Sequence, residues 1–163
     1  MRLTPETVAD ERDRLRDRAD TVVPLLNDTR DLLGDRFDTD VDSVTRETYR
    51  TEVDAVFSDG DLAVNVAALA GLLRNLDVSD DYPGFVVDEQ LGRQLAGTIA
   101  GGQPLTTLAE ATFHFADTWV DGADGEAAGV DDLDAALAAG FQTRLPGWEW
   151  TESESPFAVD SSP

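Results

Sequence analysis

Apolar residues recur at helical spacing along almost the whole chain, and no other feature limits the fold as strongly. Near the N-terminus Val8, Leu15 and Val22 repeat every seven residues, as expected for one face of a helix. The run Thr4–Glu6 adds a capping hydroxyl, a proline and an early acid, which together are typical of a helix start. Hardly any stretch alternates polar and apolar residues as a strand would. The sequence therefore predicts an all-α fold, a helical bundle of about six or seven helices.

Pro24 interrupts the first apolar stripe, which otherwise continues to about Phe37. A proline inside a helix removes one backbone hydrogen bond and costs about 3 kcal/mol if the helix continues straight. We therefore expect two helical pieces here, over residues 5–22 and 24–36, with a kink or a restart at Val23.

Residues 62–76 are predicted to form a helix that is apolar nearly all round, with leucine and valine at steps of three and four and alanine on a neighbouring face. A helix that is apolar nearly all round is typically buried, so we expect this one to be central. The predicted core takes the large apolar residues of this helix and of the two that follow: Leu62, Val66, Leu69, Leu73, Leu91, Leu95, Leu108, Phe115 and Trp119.

The helical period ends near Phe141, after a short predicted helix over 131–139 that Gly140 closes. This change predicts an acidic helical bundle over 1–141 and an extended C-terminal tail over 142–163. Trp148 and Trp150 lie in the tail on either side of a glutamate, so an extended backbone would place both indoles on one side.

Aromatic side chains are unusual in a disordered, solvating tail, and each indole gains by leaving water. Two interpretations remain open. The tail folds back onto its own bundle, or it docks onto another chain, as extended segments with apolar anchors commonly do. We favour the second, and the candidate partner-binding residues are Trp148, Trp150 and Phe157.

Acidic residues outnumber basic ones by 34 to 12, every basic residue is arginine, and the net charge is −22. Self-repulsion of this size destabilises a compact chain unless salt screens it, and at about 1 M salt the Debye length is only 3 Å. The excess of Asp over Glu and the absence of Lys resemble the proteins of haloarchaea. We therefore expect a halophilic protein whose fold depends on salt.

The chain has no cysteine and one histidine, which excludes disulfides, thiolate metal sites and histidine-rich zinc sites. His114 shares a polar helical face with Glu110 and Asp117, but one face supplies too few ligands for a metal, so we expect a solvated histidine. No motif of hydrolase or phosphate-loop type is present. We expect no catalytic residue, no metal site, no cofactor and no enzymatic activity.

Two acidic loops are similar in composition to calcium-binding loops. Aspartates at three alternate positions in 38–42 copy the opening of an EF-hand loop, but Ser43 stands where the turn needs glycine and Tyr49 where the bidentate glutamate belongs. The loop over 121–126 is acidic as well. Acidic loops are common in this composition, so we expect no specific calcium binding at either.

Four arginines occupy alternate positions between 12 and 18, and five acids lie among them over 10–20. Pairs such as Asp10–Arg14 and Asp13–Arg16 suit a charged helix surface or a seam between helices. DNA-binding proteins normally present a basic footprint, so we expect no sequence-specific nucleic acid partner.

No apolar run approaches the roughly 20 residues that cross a bilayer, and the N-terminus lacks the apolar core of a signal peptide. We therefore expect no membrane association and no secretion by a signal peptide. The expected location is the cytoplasm of a haloarchaeal host, unless the chain is part of a larger particle.

In its order of parts, an acidic helical bundle followed by an aromatic tail, the chain resembles the small helical head–tail adaptor (connector) proteins of tailed viruses. The resemblance implies a ring of subunits beneath the portal, with a C-terminal extension that binds a neighbouring component. It therefore also implies a location in the virion. We expect a non-enzymatic assembly protein with protein partners, both further copies of itself and a neighbouring assembly component. The alternatives are a host cytoplasmic helical protein, such as a helix-turn-helix regulator, and a carboxylate-based enzyme.

Overall fold

The computed structural model describes residues 1–76, 87–102, 104–120 and 128–145. Within these ranges the chain forms seven α-helices and no strand, so the predicted all-α fold is confirmed. In chain order the helices are α1 (Pro5–Asp17), α2 (Ala19–Phe37), α3 (Arg46–Phe57), α4 (Gly60–Asn75), α5 (Val87–Ala100), α6 (Leu105–Val120) and α7 (Ala128–Gln142).

The break between the first two helices falls at Arg18, so the predicted restart at Val23 is wrong. Arg18 follows the end of α1 with φ −79° and ψ 1°, outside the regular helix. Pro24 lies inside α2 and is exposed to solvent. The carbonyl oxygen that loses its partner belongs to Asp20, which is also exposed, so water can satisfy it. The helix therefore tolerates the proline.

α7 is the central helix of the bundle, and the central position expected for residues 62–76 is wrong. Every residue from Asp132 to Thr143 is buried, and α7 packs against α2, α4, α5 and α6. Much of this run is alanine, which lets the surrounding helices approach closely. The sequence pattern does not reveal how deeply this helix is buried, because three aspartates lie in its first half.

α4 packs through its small residues, and part of its leucine stripe is only partly buried. Ala63, Ala67 and Ala70 are buried against the rest of the bundle, so the helix is rotated relative to the expected register. Of the predicted core, Val66, Leu73, Leu95 and Leu108 are buried, Leu62, Leu69, Leu91 and Phe115 are partly buried, and Trp119 has a side chain outside the described part of the chain.

Gly140 lies within α7 and is not the helix terminus that the sequence predicts. A Cβ atom there would lie 2.9 Å from the Cβ of Ile99 and 3.0 Å from the carbonyl oxygen of Ala96, both on α5. The glycine therefore allows α7 and α5 to pack backbone to backbone. Beyond it, Leu145 is buried in the core, so the packed bundle continues past the predicted boundary at Phe141.

Among the described residues, no single helix is both long enough and apolar enough to cross a bilayer. α3 and α4 meet the length and composition requirement only as a pair, and that pair is bent by 113°.

Candidate functional site

The three tail aromatics, Trp148, Trp150 and Phe157, lie outside the described residues, so their role in binding stays a prediction. The last described residue, Leu145, has a buried side chain, and its carbonyl oxygen accepts a hydrogen bond from Nη2 of Arg30 at 3.2 Å. Burial lowers the pKa of the Arg30 guanidinium to about 10, which still leaves it charged at neutral pH. The tail therefore starts from a fixed point beside α2.

Two open grooves, which share Leu3 as a wall, lie between α4 and the N-terminal part of the chain. The Gly71 groove has a volume of about 490 Å³ and the Phe57 groove about 460 Å³. We call the surface that contains both the α1–α4 face. The apolar residues of the Gly71 groove include Met1, Leu3, Ala67, Leu72 and Leu76, and those of the Phe57 groove include Pro5, Val8, Phe57, Ala63 and Val64.

Large apolar side chains are concentrated on this face. Six are exposed in the described part of the chain, and four of them, Met1, Leu3, Val64 and Leu72, line the two grooves. Val64 and Leu72 are 42% and 47% exposed, and their spacing of eight residues places them on one side of α4. The helix is apolar nearly all round, as the sequence indicated, yet within the described bundle one side of it is uncovered.

Arginines line the grooves, although the chain as a whole is strongly acidic. Glu11 also lies there, but it is largely buried and accepts hydrogen bonds from Arg14, at 3.0 Å, and from Arg74. Its negative charge is therefore compensated locally. The charged residues that line the two grooves are Arg2, Arg12, Arg14, Asp10 and Glu11.

The arginines between 12 and 18 are all paired with carboxylates. Two of their partners lie on other helices, Asp54 on α3 and Asp134 on α7, so the cluster acts as a seam between helices. The partners of Arg14 and Arg16 differ from those predicted, because Arg14 pairs with Glu11 on the same helix and Arg16 pairs with Asp54 on α3. The observed pairs are Arg12–Asp13, Arg14–Glu11, Arg16–Asp54 and Arg18–Asp134.

Three carboxyl groups from three helices meet in the interior. No sequence pattern predicted this cluster. Asp88 on α5, Asp117 on α6 and Asp132 on α7 are all buried, and Asp132 shares hydrogen bonds with the other two. Burial, assisted by these two acidic neighbours, raises the pKa of Asp132 to about 10. Asp132 is therefore protonated at neutral pH and can donate a hydrogen bond to a neighbouring carboxylate. The described residues hold no group of three or more acidic or histidine side chains arranged for a metal ion.

His114 is exposed on α6, which confirms the solvated position that the sequence predicts. It lines a shallow groove with Glu110 and Arg93. Asp117, which was expected on the same polar face, instead points into the interior as one of the three buried carboxyls. The three residues predicted to share a polar face are therefore divided between the surface and the interior.

The acidic loop over 38–42 has structural roles in the described part of the chain. Asp38 is in the left-handed region, with φ 52°, and ends α2. The carbonyl oxygen of Asp42 accepts a hydrogen bond from Arg30 at 3.1 Å. The second acidic loop, over 121–126, lies outside the described residues.

Together these features define a class of protein: an acidic all-α bundle with one apolar, arginine-bearing face. Residues 1–161 match a family described as "Domain of unknown function (DUF7984)", and the chain belongs to that family. No curated protein and no solved structure matches the chain.

Proposed function

We propose that the protein is a non-enzymatic structural subunit that assembles with further copies of itself in high salt through its α1–α4 face. The proposal rests on the concentration of exposed apolar residues, including Leu3, Val64 and Leu72, along two adjoining grooves. Concave sites lined mainly by apolar side chains with a few polar groups are typical of binding sites.

High salt favours this mode of assembly in two ways. Salts that are excluded from protein surfaces strengthen the burial of apolar groups, so an uncovered apolar face becomes more unfavourable. The same salt screens the repulsion between copies that each carry a net charge of −22. Copies of this acidic chain can therefore approach each other, and the α1–α4 face gives them an apolar surface to bury.

The narrower form of the proposal is a head–tail adaptor ring subunit in the virion of a haloarchaeal virus. It is supported by the order of parts, a helical bundle followed by an aromatic tail, and by a face suited to contact between subunits. A cytoplasmic assembly protein of the host is the alternative. Negative-stain electron microscopy in high salt distinguishes them, because the adaptor requires closed rings of uniform size.

Light scattering after size exclusion in multimolar KCl tests the proposal on the full chain. We expect a mass of at least twice the 17.6 kDa of one chain. Leu72→Glu should reduce it to that of one chain, because it places a charge in the apolar interface. Val87→Glu is the matched control, since Val87 is 53% exposed but lines neither groove. A parent protein with the mass of one chain, or an assembly that Leu72→Glu leaves intact, contradicts the proposal.

A further inference from the structure

We propose that the α1–α4 face of one copy receives the C-terminal segment 146–163 of a neighbouring copy, anchored by Trp148 and Trp150. This inference rests on the proposed assembly function and identifies what covers the face.

The apolar surfaces of the face and of the segment match. The face offers two adjoining grooves that share Leu3 as a wall, and each has a volume within the range of small-molecule pockets. The segment offers two indoles at alternate positions, Trp148 and Trp150. On an extended backbone such side chains lie on one side, roughly 7 Å apart. One indole can therefore enter each groove.

The segment and the face also match in charge. Segment 146–163 contains four acidic residues and no basic one, so contact with the acidic parts of the surface is unfavourable. The α1–α4 face is less acidic than the chain as a whole, because three arginines and two acids line its grooves. The arginines are Arg2, Arg12 and Arg14 and the acids are Asp10 and Glu11, of which Glu11 also pairs with Arg74. At a Debye length of about 3 Å only charges in contact interact. Arginines beside the grooves can both pair with the segment's glutamates and stack on its indoles.

The position of Leu145, after which the segment begins, limits which surface the segment can reach. The carbonyl oxygen of Leu145 is bonded to Arg30 on α2, and the Arg144 guanidinium is bonded to Glu52 on α3 at 2.8 Å. Trp150 is five residues beyond Leu145, a reach of at most about 18 Å. The neighbour's α1–α4 face must therefore pack close to the α2–α3 side of the copy that supplies the segment.

This contact joins two different surfaces, the α2–α3 side with its segment and the α1–α4 face. Such a heterologous contact repeats from copy to copy and produces a ring if the rotation closes, or an open filament if it does not. A segment that covered the face of its own copy would remove the surface through which copies associate. Docking between copies is therefore the form that agrees with the proposed assembly.

A mixing experiment on full-length variants tests the inference in multimolar KCl. The tail variant carries Trp148→Ala and Trp150→Ala and keeps its face. The face variant carries Leu72→Glu and keeps its segment. Each should have the mass of one chain by light scattering, with parental helicity by circular dichroism. We expect each indole to contribute at least about 30-fold to association, as buried aromatic anchors commonly do. Mixed in equal amounts, the two variants should form a two-chain complex through the one intact contact.

The outcomes separate the inference from the proposed function. If the tail variant keeps the parental mass while the face variant loses it, the face is an interface with another occupant, such as the same face of a second copy, and the inference fails alone. If the mixed variants remain single chains, docking between copies is also overturned. A parent protein with the mass of one chain overturns both proposals. Val64→Glu repeats the test on the same face should Leu72→Glu lose helicity.

Discussion

Arg18 and Asp134 form a two-pronged ion pair that joins the junction of α1 and α2 to the central helix α7. Nε of Arg18 donates to Oδ1 of Asp134 at 3.0 Å, and Nη2 donates to Oδ2. The Asp134 side chain is fully buried, and its partner is 116 positions away in the sequence. This contact explains how a charged side chain lies in the most buried helix of the protein.

Removing one partner of this pair should be costly. Arg18→Leu leaves the Asp134 carboxylate buried without its guanidinium, and we expect the free energy of unfolding in high salt to fall by about 3–5 kcal/mol. Arg46→Leu is the control, because Arg46 and Asp20 are both exposed and such pairs contribute about 0–1 kcal/mol. Equal losses in thermal unfolding for the two variants would contradict the structural role of the Arg18–Asp134 pair.

The raised pKa of Asp132 predicts how stability depends on pH. The folded protein holds a proton on this carboxyl up to about pH 10, whereas the unfolded chain releases it above its ordinary value of 3.8. The folded state thus binds more protons over this range, so its stability falls as pH rises.

Asp132→Asn tests this dependence, since the amide can donate hydrogen bonds to Asp88 and Asp117 without titrating. We expect the variant to lose less stability than the parent between about pH 7 and about pH 9.5. Asp28→Asn, at an exposed position on α2, should keep the parental pH dependence. Parallel profiles for all three proteins in thermal melts would show that Asp132 is already ionised in the native state.

Two adjacent leucines on α4 should differ sharply in their importance for folding. Leu73 is fully buried and Leu72 is 47% exposed. Leu73→Ala should therefore cost about 2–5 kcal/mol through lost contacts and a cavity, whereas Leu72→Ala should cost a few tenths, as is usual for surface substitutions. If Leu72→Ala costs the unassembled chain more stability than Leu73→Ala does, the orientation of α4 is contradicted.

Gly140→Ala tests the close packing of α7 on α5. Alanine favours a helix by about 1 kcal/mol over glycine, but its Cβ would contact the backbone of Ala96 at 3.0 Å, and overpacking of this kind costs about 1–3 kcal/mol. We expect a net loss of stability. Gly60→Ala, where nothing lies within 4 Å of the added Cβ, should be neutral or slightly stabilising. A gain for Gly140→Ala would contradict the packing.

Salt should control folding, because the 34 acidic side chains require screening. Helicity measured by circular dichroism at neutral pH should fall when KCl is lowered from molar to tens of millimolar concentrations. A melting temperature that stays constant over this range would contradict a halophilic character. Sucrose stabilises folded proteins without screening charge. It is therefore a control that separates charge screening by salt from the strengthening of apolar burial by salt.

Much of the architecture followed from local pattern. The apolar period predicted the all-α class, Thr4 predicted the start of α1, and its hydroxyl accepts the backbone N–H of Thr7 at 3.1 Å. These features could be read because capping and periodicity involve residues only three or four positions apart. The ion pair of Arg18 could not be predicted in this way, because its partner Asp134 lies 116 positions away on α7.

The candidate site shows the same division. The sequence predicted that residues 62–76 form a helix that is apolar nearly all round. Periodicity alone does not determine which sides of such a helix other helices will cover. Tertiary packing buried the alanine side of α4 and left Val64 and Leu72 exposed. It also buried Asp132 and Asp134 by giving them a carboxyl and a guanidinium partner from distant helices. The sequence by itself therefore determined that the chain is helical and acidic, and it predicts a dependence on salt. Only the tertiary structure decided which helix is central and which apolar face is uncovered within the described bundle, because both depend on contacts between residues far apart in the chain.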